Sequence, residues 1–341
     1  MLKKYEIDFL KVGAADAILI HFITEKDKEC VVSIDAGRYS DGDKVINFVK
    51  NRYHRKKIDV AICTHCDDDH FGGYIKIIEE FQKGDDKGLE IGCLWMNDPG
   101  KFVDASDFKR RSSTEIVKEE EREVYTLKGG DKNLLEFAKS ANIRIEDAFS
   151  VGGKYNRAFG GKILLLGPTK KYYCELAKHF NEKLEPYDTT IDAEDDTSLV
   201  EGRCLSPKLD MIGDDGSSHN QSSVIVLFGP GDGRKFVFMG DAGYAAFANM
   251  REVDRNKMQN AFLLKVPHHG SKYNMNSEMI NFINPQAAIV SAESEENHFS
   301  PLVKNALKRK GTKVYCTMSG GNLLYNRGFD KREGYKPAVP L

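Results

Sequence analysis

From Thr64 to Gly73 the chain reads Thr-His-Cys-Asp-Asp-Asp-His-Phe-Gly-Gly. Between His65 and His70 stand two imidazoles and three carboxylates, a density of ligand-type side chains that packing alone does not require. The preceding run, Ile58-Asp59-Val60-Ala61-Ile62-Cys63, has strand character. Tyr74 to Glu80 reads as a helix, expected over about 74–83. The acidic cluster therefore falls on a loop between a buried strand and a helix, where a rigid α/β scaffold can aim chemistry. The expectation is a metal-binding loop that other parts of the chain complete.

The same strand signal recurs along the chain. Tyr5–Leu10, Ala17–Phe22 and Cys30–Ile34 are separated by short turns and predict an antiparallel meander. The third run leads into Asp35-Ala36-Gly37, so Asp35 is either a turn aspartate or a carboxylate that orients a metal-ligating histidine. Further strands are expected over Leu89–Met96, Lys162–Pro168, Phe262–Val266, Ala287–Ser291 and Lys313–Thr317. Ser222–Phe228 and Lys235–Asp241 read as a hairpin closed by a Gly-Pro-Gly-Asp-Gly turn. Helices are expected over 43–54, from Leu134, over Lys171–Lys183, from Ala245 and over Leu302–Arg309. The basic, glycine-containing tail reads as loose.

Ligand-type residues gather at the ends of these strands. Asp35 and the 65–70 loop come first, then Asp241 between glycines, then the His268-His269 pair, and His298 follows a fifth strand. His21, His54 and His179 have no such setting and read as structural or solvated. Imidazole with carboxylate suits Zn, Mn or Fe better than a thiolate-selected ion. His65, Asp67, Asp69 and His70 offer donors enough for two ions, with Asp241 able to bridge them. A pair of ions roughly 3.5–4 Å apart shares a hydroxide and clamps the reacting oxygens. That chemistry points to hydrolysis, with phosphodiesters the leading substrate class. A metal-bound hydroxide serves as nucleophile, so no serine or cysteine is needed and Cys66 reads as a bystander.

Composition narrows the alternatives. The 341 residues are 40% hydrophobic, enough for a large core. With 50 basic and 52 acidic residues the net charge is −2, which excludes a global basic field for nucleic acid but not a local patch. Arg38, Lys265, Lys272, Lys331 and Arg332 are candidates for that patch. Seven cysteines, odd in number and scattered apart from Cys63-Thr64-His65-Cys66, where Cys63 ends a buried strand, suggest reduced thiols. No apolar run reaches the roughly 20 residues of a membrane span, and no signal-peptide segment opens the chain. A cytoplasmic protein without membrane contact is expected.

At these residues the sequence resembles the metallo-β-lactamase superfamily. That family is marked by a His-x-His-x-Asp-His loop after a strand, a later Gly-Asp pair and a final histidine at a strand end. Here the loop is His65-x-Asp67-x-Asp69-His70, with aspartate at the second histidine position. The variant is similar to the hydrolase domain of ComEC-type competence proteins and their soluble relatives. Lys11–Ile20, Ile34–Gly37, Asn220–Leu227, Leu264–Ser271 and Asn297-His298 carry further likeness. The resemblance implies an α+β fold, an αββα sandwich of two mixed β-sheets flanked by helices. It implies one domain over 1–341 with insertions at about 98–125 and 169–216. It also implies one or two ions per chain, Zn or Mn. By motif position His65, Asp67, Asp69, His70, Asp241 and one of His268 and His269 are ligands. The third family histidine falls at His219 or Asn220. Asp69 and His298 are the catalytic candidates, His298 as oxyanion stabiliser or proton donor.

The leading expectation is thus a metal-dependent phosphodiesterase or nuclease with a nucleic acid or nucleotide substrate. Hydrolysis of a lactone, thioester or amide is the alternative. A non-catalytic metal-binding protein, docking a partner through the acidic 169–216 insertion, is the alternative of another class. The oligomeric state is not legible.

Overall fold

The computed structural model describes residues 1–84, 87–103, 124–128, 130–150, 159–180, 204–293 and 299–341. The centres of the two expected insertions, 104–123 and 181–203, lie outside these residues, as does His298. The chain divides into two compact units, Met1–Ala148 with Ala177–Asn181 and Gly321–Lys336, and Phe149–Leu176 with Glu182–Gly320 and Pro337–Leu341. Each unit is built on one mixed sheet, in keeping with the expected pair of mixed sheets and helices.

In the first unit β1 (Lys4–Phe9), β2 (Ala17–Ile23) and β3 (Glu29–Ala36) form the expected antiparallel meander. Their interiors are buried on both faces, which explains the near-continuous apolar runs. Helix α1 (Gly42–Arg52) buries Val45, Ile46, Phe48 and Val49. The run over 58–63, expected as one strand, is two. β4 (Lys57–Ile58) and β5 (Val60–Ile62) are separated by Asp59, whose carboxylate accepts a hydrogen bond from Val31 N at 2.8 Å. β5 continues the main sheet parallel to β3.

Helix α2 (Asp68–Gln82) starts at Asp68, not near 74. Half of the ligand cluster therefore lies on its first turn and not on a loop. Gly72 and Gly73 sit inside the helix because its backbone presses on the chain after β3. A Cβ on Gly73 would lie 2.0 Å from the Ala36 carbonyl oxygen, and one on Gly72 would lie 2.6 Å from Tyr39 N. The glycine pair is a close-approach device and not a helix breaker.

The strand expected over 89–96 also splits, into β6 (Glu90–Ile91), which pairs with β4, and β7 (Cys93–Trp95), which joins the main sheet. β8 (Arg144–Glu146) extends that sheet in parallel.

The second unit is built on a six-stranded sheet. β9 (Ile163–Gly167), β10 (Ile225–Phe228) and β11 (Phe236–Phe238) are antiparallel, the last two forming the expected hairpin. β12 (Leu263–Lys265), β13 (Ala287–Val290) and β14 (Lys313–Cys316) follow in parallel. Leu166, Val237, Leu264, Ile280, Val290, Val303 and Leu307 belong to its core.

The tail is not loose. β15 (Leu323–Arg327) pairs antiparallel with β1 and closes the edge of the first sheet. Beyond it, Arg332 reaches the buried Asp8 and Glu6. Among the described residues no helix is long and apolar enough to cross a membrane.

Candidate metal centre

Both units place their ligand-type residues at the carboxyl ends of adjacent parallel strands, where open α/β sheets bind ligands. In the first unit β3 delivers Asp35 and β5 delivers Thr64 and His65. Asp35 is buried, with φ 57°, a backbone state that aspartate tolerates better than most residues. Its Oδ1 accepts from Thr64 N at 2.8 Å, and its Oδ2 accepts from Thr64 Oγ1 at 2.7 Å. The same Oδ2 lies 2.8 Å from His70 Nδ1. A carboxylate only accepts, so Nδ1 of His70 carries the proton and Nε2 presents a lone pair.

His65 and His70 are both buried, with ring centroids 4.1 Å apart. Asp67 stands at the N-cap of α2, its carbonyl accepting from His70 N and its carboxylate 3.7 Å from His65 Nε2. Asp69 is mostly covered and lies 3.7 Å from the Arg38 guanidinium. Single oxygen or nitrogen atoms of Asp16, Asp35 and His70 gather within 4.8 Å of one another. Cys63 is sealed in the core, where burial pushes its thiol well up, and Cys66 is buried beside it in the chain.

In the second unit β11 delivers Asp241, β12 delivers His268 and His269, and β13 delivers Ser291. The backbone N of the buried Asp241 donates to Ser223 Oγ at 3.0 Å, and Asn274 Nδ2 donates to its carbonyl at 2.8 Å. His268, His269 and Gly270 all have positive φ, 44°, 52° and 86°. This costly turn needs its glycine, since a Cβ there would meet Phe299 at 2.7 Å.

The turn gives the two histidines different settings. His269 is buried, with Nδ1 donating to the Ser291 carbonyl at 3.0 Å, again the tautomer that offers Nε2 to a metal. His268 lies between carboxylates, Nδ1 at 3.3 Å from Asp215 and Nε2 at 3.8 Å from Asp241. Burial works against its charge, but Asp241 and Asp215 prevail and push its pKa up to about 9. Burial also works on Asp215, yet hydrogen bonds from His268, Asn220 and Asn274 hold that carboxyl below its usual range.

The sign of this pairing sets a pH dependence. A histidine pKa raised on folding contributes stability that is complete below its unfolded value, about 6.5, and is lost as pH rises through about 9. Chelator-treated protein should lose thermal stability over that window, and His268→Gln should flatten the slope. Calorimetry across the range checks both, and a flat wild-type profile contradicts the pairing.

Asp215, Asn274 and Thr64 were not singled out by sequence reading. Asp215 sat in a stretch read as an acidic insertion, yet its Oδ2 accepts from Asn220 Nδ2 at 2.7 Å and Asn274 Nδ2 at 2.8 Å. Asp214 beside it accepts from Tyr244 N at 2.9 Å. The spacing of Asp215 to Asn220, followed by Asn274 just after the His-His-Gly turn, was the available signal. Asn220 enters this network; His219 is half-buried next to it. Among the proposed basic residues, Lys265 is fully buried with Nζ on the Val266 carbonyl at 3.0 Å, and Arg332 is committed to Asp8 and Glu6. Both are removed from the surface patch.

Comparison with known proteins accords with this arrangement. Residues 11–146 match the family model described as Metallo-beta-lactamase superfamily. Over those residues the chain is similar to that superfamily's domain, and its own content is mixed α+β. That superfamily usually binds one or two zinc ions. No curated protein matches. Among solved structures, one described as a new diphosphatase from the PhnP family overlays with a TM-score of 0.42 at 9% identity, covering 96% of this chain and 99% of that one. A long-form RNase Z from yeast overlays with a TM-score of 0.38 at 14% identity, covering 85% of this chain and 37% of that one.

Proposed function

We propose that the chain is a metal-dependent phosphodiesterase or nuclease of the ComEC-like type, using one or two Zn or Mn ions. The carrying observation is the pair of imidazole Nδ1 contacts, His70 on Asp35 at 2.8 Å and His269 on the Ser291 carbonyl at 3.0 Å. A histidine whose Nδ1–H is held by a carboxylate or carbonyl is pre-set to ligate through Nε2, and mixed imidazole and carboxylate donors fit these ions. His65, Asp67, Asp69 and His70 are the proposed ligands of the first unit, and Asp241 and His269 those of the second. Aspartate at 67, in place of the usual histidine, supports the phosphodiester reading over lactam-type hydrolysis.

A divalent ion in such a set lowers the pKa of water and polarises a phosphoryl oxygen. The protein's own part is positional. Asp35 and Ser291 aim the imidazoles. His268, set between Asp215 and Asp241, is the proposed proton donor to a leaving oxygen. His268 is therefore assigned the proton and His269 the metal. His298 remains a proposed second proton donor. Cys66 has no role.

Protein purified without chelator should hydrolyse bis(p-nitrophenyl) phosphate and at least one of DNA, RNA or a cyclic nucleotide. Turnover of lactones, thioesters or amides, with no phosphodiester cleaved, would overturn the reading.

A further inference from the structure

The start of α2 carries two cations on two consecutive carboxylates. Arg38 Nη2 lies 3.7 Å from Asp69 Oδ2, and Lys128 Nζ lies 3.7 Å from Asp68 Oδ1. Their side chains are 46% and 80% exposed. Pairs this open and too long for hydrogen bonds add little to stability, so the fold has small need of them.

The backbone beneath Arg38 is nevertheless held tightly. Gly73 N donates to the Gly37 carbonyl at 2.9 Å, and Gly37 N donates to the Asp16 carbonyl at 2.7 Å. Arg38 N donates to Asp41 Oδ2 at 3.1 Å. Gly72 lets the helix lie against Tyr39 N. Tyr39 is pinned in turn, its hydroxyl bonded to Glu79 and taking Lys132 Nζ at 2.8 Å, its ring 4.4 Å below that ammonium. A rigid base thus carries an exposed guanidinium beside a candidate ligand.

We infer that Arg38, assisted by Lys128, binds a second phosphate of the substrate, next to the phosphodiester that is cut. The inference rests on the phosphodiesterase reading above and names its substrate class: a diester bearing a neighbouring phosphate. A guanidinium matches phosphate through a fork of two hydrogen bonds. Residues 68 and 69 point in directions about 100° apart on the helix, so their cations spread positive charge beyond the ligand set, since Asp68 is not in that set. One isolated diester does not need such a spread, and an extended anion does.

The test compares the thymidine dinucleotide TpT with its terminally phosphorylated form, as ligands for the full metal-loaded chain. Equilibrium binding, turnover and metal content are read in parallel. Wild type should bind the phosphorylated form roughly 10-fold or more tightly, as expected of a charge-assisted contact. Arg38→Gln should shrink that preference to about 2-fold with metal content retained, Arg38→Lys should keep part of it, and Lys128→Ala should weaken it less. The salt dependence of binding should fall in step with each lost contact. No wild-type preference, an unchanged preference in Arg38→Gln, or loss of metal from that variant overturns the inference. TpT cleaved with a preference insensitive to Arg38 defeats this inference alone. An Arg38-dependent preference without cleavage of either dinucleotide, bis(p-nitrophenyl) phosphate, DNA, RNA or a cyclic nucleotide defeats the phosphodiesterase reading and leaves the phosphate site standing.

Discussion

Asp35→Asn is expected to weaken metal binding roughly 10–100-fold, the usual cost of losing an orienting partner. The substitution keeps size and is tolerated at positive φ, so the backbone state of 57° is preserved. The chemistry is not preserved. Thr64 N and Thr64 Oγ1 both point at Asp35, with His70 Nδ1 on the same oxygen as the hydroxyl. An amide that accepts from Thr64 N turns its NH2 toward His70. Nδ1 must then accept, the proton moves to Nε2, and the ligand position is blocked. An amide turned the other way sets two donors against each other at Thr64 N. Competition against a chromophoric chelator measures the loss, with circular dichroism to confirm the fold. Wild-type affinity in a folded variant would remove Asp35 from the account.

Arg332→Ala is expected to destabilise the first unit by about 3–5 kcal/mol, the cost of breaking a buried ion pair. Arg332 makes a two-pronged contact with Asp8, at 2.7 and 2.8 Å, and a third bond to Glu6 at 2.7 Å. Asp8 is fully buried and also accepts from Tyr53 OH at 2.5 Å. Burial already raises the Asp8 pKa, with Arg332 the main opposing influence. Without the guanidinium, two buried acids lose their counter-charge. Denaturant unfolding tests this, and Arg332→Met combined with Asp8→Leu should recover much of the loss, since apolar replacements can stand in for a buried pair. A change below about 1 kcal/mol, as for an exposed pair, contradicts it.

Much of the scaffold was legible because buried strands leave dense apolar runs, and most expected strands and helices are present. What misled was local chemistry whose meaning depends on distant neighbours. Gly72-Gly73 looks like a helix boundary until Ala36 and Tyr39 are seen against it. The runs over 58–63 and 89–96 look continuous, and the breaks at Asp59 and Gly92 depend on each other: a Cβ on Gly92 would lie 2.8 Å from the Asp59 carbonyl oxygen. The tail looked solvated because Arg332 is charged, and only Asp8 and Glu6, over three hundred positions earlier, give it a buried place. The site followed the same pattern. Asp35, Asp241 and the histidines stood out by type and position at strand ends. Asp215 was hidden in an acidic stretch, because its role depends on Asn274 and His268. His268 and His269 were equivalent in sequence and differ through what their Nδ1 atoms touch.

On the proposed reading, a bound ion enables turnover. Protein stripped with chelator and titrated with Zn or Mn should regain bis(p-nitrophenyl) phosphate hydrolysis in proportion to the ion bound, saturating at one or two ions per chain. Full turnover by protein shown to be metal-free would contradict the account.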